Sequence, residues 1–199
     1  QRLADMVKVW RDLWGLGEMP FYEVELAPFT YGGDGTTGAR IREAQHKAVE
    51  LIPGSGIASI NDLAYPYEYD EIHPRRKKEV GERLSYLALN RTYGMDYLPC
   101  EGPRFKSYEV RGGEIEVAYY NGESGFSPWH DIVGFEIAGE DKVFHPAEIR
   151  RGARLNTVIV KSGKVPAPVA VRYCFRDFQV GNFTGRRCLP VIPFRTDNW

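Results

Sequence analysis

The stretch Asp70-Glu71-Ile72-His73-Pro74-Arg75-Arg76-Lys77-Lys78 stands between two patterns. Before it, Gly56 to Ile60 reads as a short strand running into Asn61-Asp62, followed by the tyrosine-rich Tyr65-Pro66-Tyr67-Glu68-Tyr69. After it, Val80, Leu84, Leu87 and Ala88 recur at helical spacing and predict a helix over 74–90. Pro74 suits the first helical position, where its missing N–H has no intrahelical partner. Asp70 and His73 therefore fall on a loop between a strand and a helix. An Asp that accepts a bond from one imidazole nitrogen fixes the tautomer, and the other nitrogen is free to take a proton from a nucleophile. D-x-x-H is a short pattern, and a surface histidine beside a basic helix start is the plain alternative. The cations Arg75 to Lys78 oppose the helix dipole at a cost of about 0.3 kcal/mol or more each. They read either as a solvated basic face or as an attraction for an anionic substrate.

Upstream, Leu3, Met6, Val7, Trp10, Leu13 and Trp14 predict an amphipathic helix ended by Gly15 and Gly17. Phe21 to Ala27 follows as a strand, Thr30 to Gly38 as a Gly- and Thr-rich loop, and Arg40 to Ile52 as a helix stopped by Pro53-Gly54. The glycines of the loop make neither G-x-G-x-x-G nor G-x-x-x-x-G-K, so no phosphate cradle is expected. Alternation of strand and helix points to a parallel sheet with helices on its faces. Sites in such sheets gather on loops beyond the strand C-termini, and the Asp70–His73 loop falls on that rim.

Near Gly102-Pro103 the pattern changes. Segments 104–110, 114–120, 133–138, 143–150, 154–160 and 168–176 read as strands separated by turn signals, which argues a β-sandwich. Residues 180–199 are rich in Pro and aromatics without a period, and are expected to return along the first unit. The expected division is thus 1–101, 102–179 and a 180–199 tail.

Hydrophobic residues make up 43% and charged residues 27% of the 199, and the net charge is −1. Nothing in that balance calls for nucleic acid or an anionic membrane as partner, and no apolar run approaches a membrane span of about 20 residues. The chain starts at Gln1 with neither initiator Met nor signal peptide, which suggests processing or a fragment. Of Cys100, Cys174 and Cys188, the last two form the better candidate pair, although three ordinary thiols are the preferred reading. Asn90-Arg91-Thr92 and Asn182-Phe183-Thr184 match the glycosylation sequon. His46, His130 and His145 are scattered as surface or loop histidines would be, and no metal spacing or cofactor motif is present. Tyr119, Tyr120, Phe126 and Trp129 read as a sugar-stacking patch or, more plainly, as core.

Several blocks in order carry a resemblance. They are Pro20-Phe21-Tyr22, Leu26-Ala27-Pro28-Phe29, Arg42-Glu43-Ala44-Gln45, Ile72-His73-Pro74, Gly134-Phe135-Glu136-Ile137-Ala138-Gly139-Glu140-Asp141, Ala170-Val171-Arg172-Tyr173 and Pro193-Phe194-Arg195-Thr196-Asp197. Together they resemble the C-terminal half of the sialate O-acetylesterase family, a branch of the SGNH (GDSL-like) hydrolases. Glu25 departs from the Gln usual at that point of the family. The resemblance implies an α/β fold: the C-terminal part of a doubly wound parallel-sheet hydrolase domain, followed by a small antiparallel β-sandwich. It implies removal of acetyl esters from sugars, with His73 as base, Asp70 as its orienter and Asp62 as rival orienter, and no cofactor or metal. It also implies a secreted, periplasmic or lysosomal-type setting.

The nucleophile is missing from this picture. No serine lies in a Gly-Asp-Ser, Gly-x-Ser-Asn or G-x-S-x-G context. In the family the serine and the oxyanion donors lie upstream of the matched region. The expected partners are therefore an acetylated sugar and an N-terminal portion of the same protein bearing the serine, and the chain alone is expected to be inactive. The alternatives are an acetylesterase of plant polysaccharides such as xylan or xyloglucan, and a non-catalytic carbohydrate-binding fragment.

Overall fold

The structure, a computed structural model, describes residues 1–199. The first unit runs α1 (Arg2–Trp14), β1 (Phe21–Val24), α2 (Thr37–Val49), β2 (Ser55–Ala58) and α3 (Lys77–Arg91). β1 and β2 pair in parallel, from Phe21 opposite Ser55 to Val24 opposite Ala58. Alternation along β2 sends successive side chains to opposite faces. The Ser55 hydroxyl donates to the carbonyls of Val49 and Ile52, at the end of α2. A Cβ on Gly56 would stand 2.8 Å from Leu87 Cδ2 of α3. Glycine at 56 therefore lets α3 lie directly on the strand, and helices cover both faces of the pair.

β2 is buried throughout, whereas β1 is only half-buried and pairs with β2 alone. α1 buries only Val7 and leaves Val9, Trp10, Leu13 and Trp14 exposed. The resemblance implies the C-terminal part of a doubly wound sheet, and this chain by itself forms only a small piece of parallel sheet. It supplies two parallel strands, and antiparallel sheets make up the rest of the molecule.

The second unit contains β3 (Arg104–Arg111), β4 (Glu114–Tyr120), β5 (Phe126–Ser127), β6 (Phe135–Ala138), β7 (His145–Pro146), β8 (Glu148–Arg151), β9 (Thr157–Lys161), β10 (Ala170–Tyr173), β11 (Thr184–Gly185) and β12 (Phe194–Arg195). One sheet has the order β3-β4-β9-β8, the other β12-β10-β6-β7, and β11 pairs with β5 in a two-stranded strip. Ile115, Val117 and Tyr119 of β4 alternate inward, as do Val158 and Val160 of β9. They meet Phe135, Ile137, Val171 and Tyr173 from the other sheet in one buried core.

Two expectations change here. The single strand expected over 143–150 is two short strands, β7 and β8, in different sheets. The chain turns the corner at Ala147, whose N–H donates to Phe135 O. The tail does more than return along the first unit. Phe183, Val191 and Phe194 enter the sandwich core, β11 and β12 join its strands, and Asp197 pairs with Arg172 at 2.6 Å. It also meets the first unit, through Arg195 on Glu43 at 3.1 Å, Gly181 N–H on Asn61 O, and Leu189, Pro190 and Ile192, which face Ile57, Ala58 and Arg83.

A polar seam joins the units. Asp177 Oδ1 accepts the Gly38 N–H at 2.6 Å, in the first turn of α2, so a residue 139 positions away satisfies one of that helix's orphan donors. Arg42 donates to the carbonyls of Arg176 and Asp177, and Asp177 N–H donates to Gly35 O.

Candidate functional site

The rim beyond β1 and β2 is built first by Glu25. It follows β1 directly, and its N–H donates to Ala58 O. The residue is 2% exposed. Oε2 accepts the Ile60 N–H at 2.8 Å and the Ser59 hydroxyl. Oε1 stands 3.7 Å from Arg42 Nε and 3.8 Å from His46 Nε2. Burial alone pushes this carboxyl up, but His46, Arg42 and Ser59 together outweigh it and hold Glu25 below the usual carboxylate range. His46 is therefore not a plain surface histidine: it borders a buried carboxylate.

The loop carrying His73 is clamped by a second buried acid, Glu68. Its two oxygens accept the N–H groups of Tyr65 at 2.8 Å and Arg75 at 3.3 Å, closing the loop around itself. Tyr65 and Tyr67 stack at 5.4 Å, and Arg75 lies 5.7 Å over Tyr67. The Thr30 N–H and hydroxyl both donate to Tyr69 O, which ties the loop to the segment after β1. Pro74 is buried ahead of the helix rather than in its first turn: α3 begins at Lys77, with Arg76 at the cap.

On this clamped loop Asp70 and His73 are both exposed. Their side chains share no hydrogen bond; the His73 main-chain N–H donates to Glu71 Oε1 at 3.0 Å, and the His73 imidazole makes no hydrogen bond. Asp62, the rival orienter, is held in a fork by Arg83, with bonds of 2.6 and 2.7 Å. Arg83 also donates to Ser59 O, so this pair fixes the end of β2 on α3. Asp70 and His73 thus share one exposed loop between β2 and α3 without bonding each other, while Asp62 is engaged by Arg83.

The aromatic patch is dispersed. Tyr119 and Phe126 are core, Trp129 is half-buried against them, and Tyr120 is exposed beside Arg104 and Lys106. Cys100, Cys174 and Cys188 are all free: Cys174 is buried, and burial pushes its thiol up to about 12, while Cys188 is exposed. Glu68, Arg83 and Asp177 carry the rim's architecture without having stood out in the sequence. Only the lone Glu within a tyrosine run hinted at the first.

No protein-family model matches the chain, and no curated protein matches it. Among solved structures, the chain is similar to that of XAC1771, a carbohydrate acetylesterase from Xanthomonas citri, with 38% sequence identity and a TM-score of 0.86 over 99% of this chain. The match covers 45% of the XAC1771 chain, so the present chain spans less than half the length of that protein.

Proposed function

We propose that this chain is the general-base portion of a carbohydrate O-acetylesterase whose serine nucleophile lies on another stretch of polypeptide. The observation that carries the reading is the likeness to XAC1771 along almost the whole chain at 38% identity. In the proposed mechanism, the serine attacks the acetyl carbonyl while His73 takes its proton, and His73 then returns that proton to the departing sugar hydroxyl. A water, deprotonated by His73, then attacks the acyl-serine carbonyl; the bond to the serine oxygen breaks, acetate leaves, and His73 returns the proton to that oxygen. Asp70 orients the ring once the site is assembled. Catalytic hydrogen bonds are often unmade without substrate, and both side chains are exposed enough to rotate.

The surface left by this chain supports a missing portion. β1 has one partner, and parallel sheets are normally buried on both faces and continued at their open edges. Beside β1, α1 exposes Trp10, Leu13 and Trp14, with Leu16 just beyond it. We assign this edge and face to the serine-bearing portion of the same protein, consistent with a match that spans less than half of XAC1771. The SGNH architecture and a sialate 9-O-acetyl substrate are the finer form of the proposal, with acetylated xylan or xyloglucan as the alternative substrates. The test is acetate release from O-acetylated saccharides by the 199-residue chain alone and joined to the polypeptide encoded ahead of it. Activity confined to the joined form supports the reading, and equal activity of the chain alone refutes it. A saccharide-binding module without catalysis is the result if neither form releases acetate.

A further inference from the structure

On the sandwich, Ser124 to Phe126, Trp129, the β8–β9 connection from Arg151 to Leu155, Thr157 and Arg186 close a cavity of ≈ 190 Å³. Its walls are pinned by main chain. The Arg186 N–H donates to Gly125 O at 3.0 Å, the Gly152 N–H to Thr157 O at 3.0 Å, and the Arg154 N–H to Thr157 Oγ1 at 3.2 Å. A Cβ at Gly152 would fall 2.0 Å from Thr157 Oγ1, so the turn admits only glycine.

The charge of this cavity is one-sided. Arg151, Arg154 and Arg186 line it, and no Asp or Glu does. None of the three takes part in an ion pair, whereas Arg76, Arg83, Arg172 and Arg176 elsewhere each hold a carboxylate. Glu109 lies within electrostatic reach of Arg154 but is itself held by Arg111 at 2.8 Å. The guanidinium of Arg151 lies 4.9 Å over the Trp129 ring, and Trp129 is packed edge-on against Phe126 and Phe183 of the core. The stack keeps the Arg151 fork extended before any ligand arrives. The Arg186 side chain runs over Gly125, where a Cβ would stand 3.9 Å from its Cδ and Nε. Three arginines outside any ion pair line one concavity, and guanidinium groups suit the two oxygens of a carboxylate or sulfate.

The cavity also connects. Ser124 and Arg186 line a neighbouring cavity of ≈ 240 Å³ together with Arg187. Arg187, with Leu98, Pro99 and Leu189, lines a third of ≈ 460 Å³ that reaches Asp62 and Arg76. Adjoining hollows thus lead from Trp129 toward the two ends of the segment that carries Asp70 and His73.

We propose that the Arg151–Arg154–Arg186 cavity is a subsite for an acidic sugar, a saccharide unit bearing a carboxylate or sulfate, in a chain whose acetylated unit lies at the His73 end. The saccharide part rests on the proposed function, and the anion-binding part does not. The test is calorimetric titration of the 199-residue chain with trigalacturonate, with neutral galactotriose, and with inorganic sulfate. The expected result is trigalacturonate binding that weakens with salt, falls at least tenfold in Arg151→Ala/Arg186→Ala, and exceeds binding of either other probe. Near-UV circular dichroism establishes that the variant is folded, and Arg151→Lys/Arg186→Lys keeps the charge while removing the forks, with a partial loss expected. Equal binding of galactotriose, equal binding of sulfate, unchanged binding in the alanine variant, or no binding of trigalacturonate overturns the proposal. Trigalacturonate binding as expected, with no acetate release by the joined form, would instead fault the functional reading.

Discussion

Glu25 is a buried carboxylate whose charge is compensated from two elements, by Arg42 and His46 of α2 and by Ser59 and Ile60 after β2. Its value in the folded chain lies below the ordinary one of about 4.3. The stability it contributes is therefore complete above about pH 4.3 and is lost as pH falls through the folded value. Glu25→Ala leaves Arg42 buried without its counter-charge and is expected to cost about 3–5 kcal/mol in urea unfolding. It should also flatten the acid limb of the pH–stability curve. An unchanged acid limb would show that the pair does not carry charge in the folded state. The cysteines give a second prediction at this scale. Burial penalises the Cys174 thiolate, so a thiol reagent at pH 8 should label Cys188 quickly and leave Cys174 untouched until the protein unfolds. Rapid labelling of both would contradict the buried position. At the candidate site, His73→Ala in the assembled enzyme should lower activity about 10²–10⁴-fold. Its melting temperature should not change, because the side chain is exposed. Asp70→Asn should cost less, and a larger loss at Asp62 would move the orienter role there. A drop in stability at Asp62→Asn is expected independently, because it breaks the fork with Arg83.

Among the elements, those with a strong period were legible in the sequence, and those fixed by distant partners were not. α1 and the strands β3 and β4 fall where apolar spacing puts them, although only β4 buries its apolar face in this chain, while α1 buries Val7 alone and β3 stays largely exposed. α2 starts earlier than its apolar pattern suggests, at Thr37, since Asp177 satisfies the Gly38 N–H from the far end of the chain. α3 starts later than Pro74 suggests, because Glu68 draws the Arg75 N–H back into the loop. The corner at Ala147 and the short strands of the tail exist only through pairing with remote partners, which no local pattern records. Tail residues such as Phe194 were legible as apolar but not as sandwich core. Phe194 stacks on Phe105 at 4.9 Å and meets Tyr119 edge-on at 5.9 Å. Phe194→Ala is expected to destabilise the chain by about 3–5 kcal/mol. Deleting residues 186–199 would also remove Val191 and the Arg172–Asp197 pair, and should abolish the cooperative thermal transition. A deletion mutant that melts like the full chain would mean that the tail is ornamental.

For the whole molecule, the loop between β2 and α3 and the change from helix–strand alternation to antiparallel strands near residue 104 were readable in sequence. The clamps that shape the rim were not, because Glu25, Glu68 and Asp177 are charged residues whose burial only the fold reveals. One side of the molecule presents an unpaired β1 edge beside the exposed aromatic face of α1. The Asp70–His73 loop lies at the C-terminal end of the same strands, so a domain completing the sheet would carry its own strand ends to the same rim. The most direct measurement is acetate release from an O-acetylated oligosaccharide by the chain joined to the polypeptide encoded ahead of it, comparing wild type with His73→Ala. Turnover by the joined wild type is expected, with a loss of about two to four orders of magnitude in the variant at unchanged melting temperature, and none by the 199-residue chain alone. Full activity of the joined His73→Ala variant, or equal turnover by the chain alone, would contradict the proposed function.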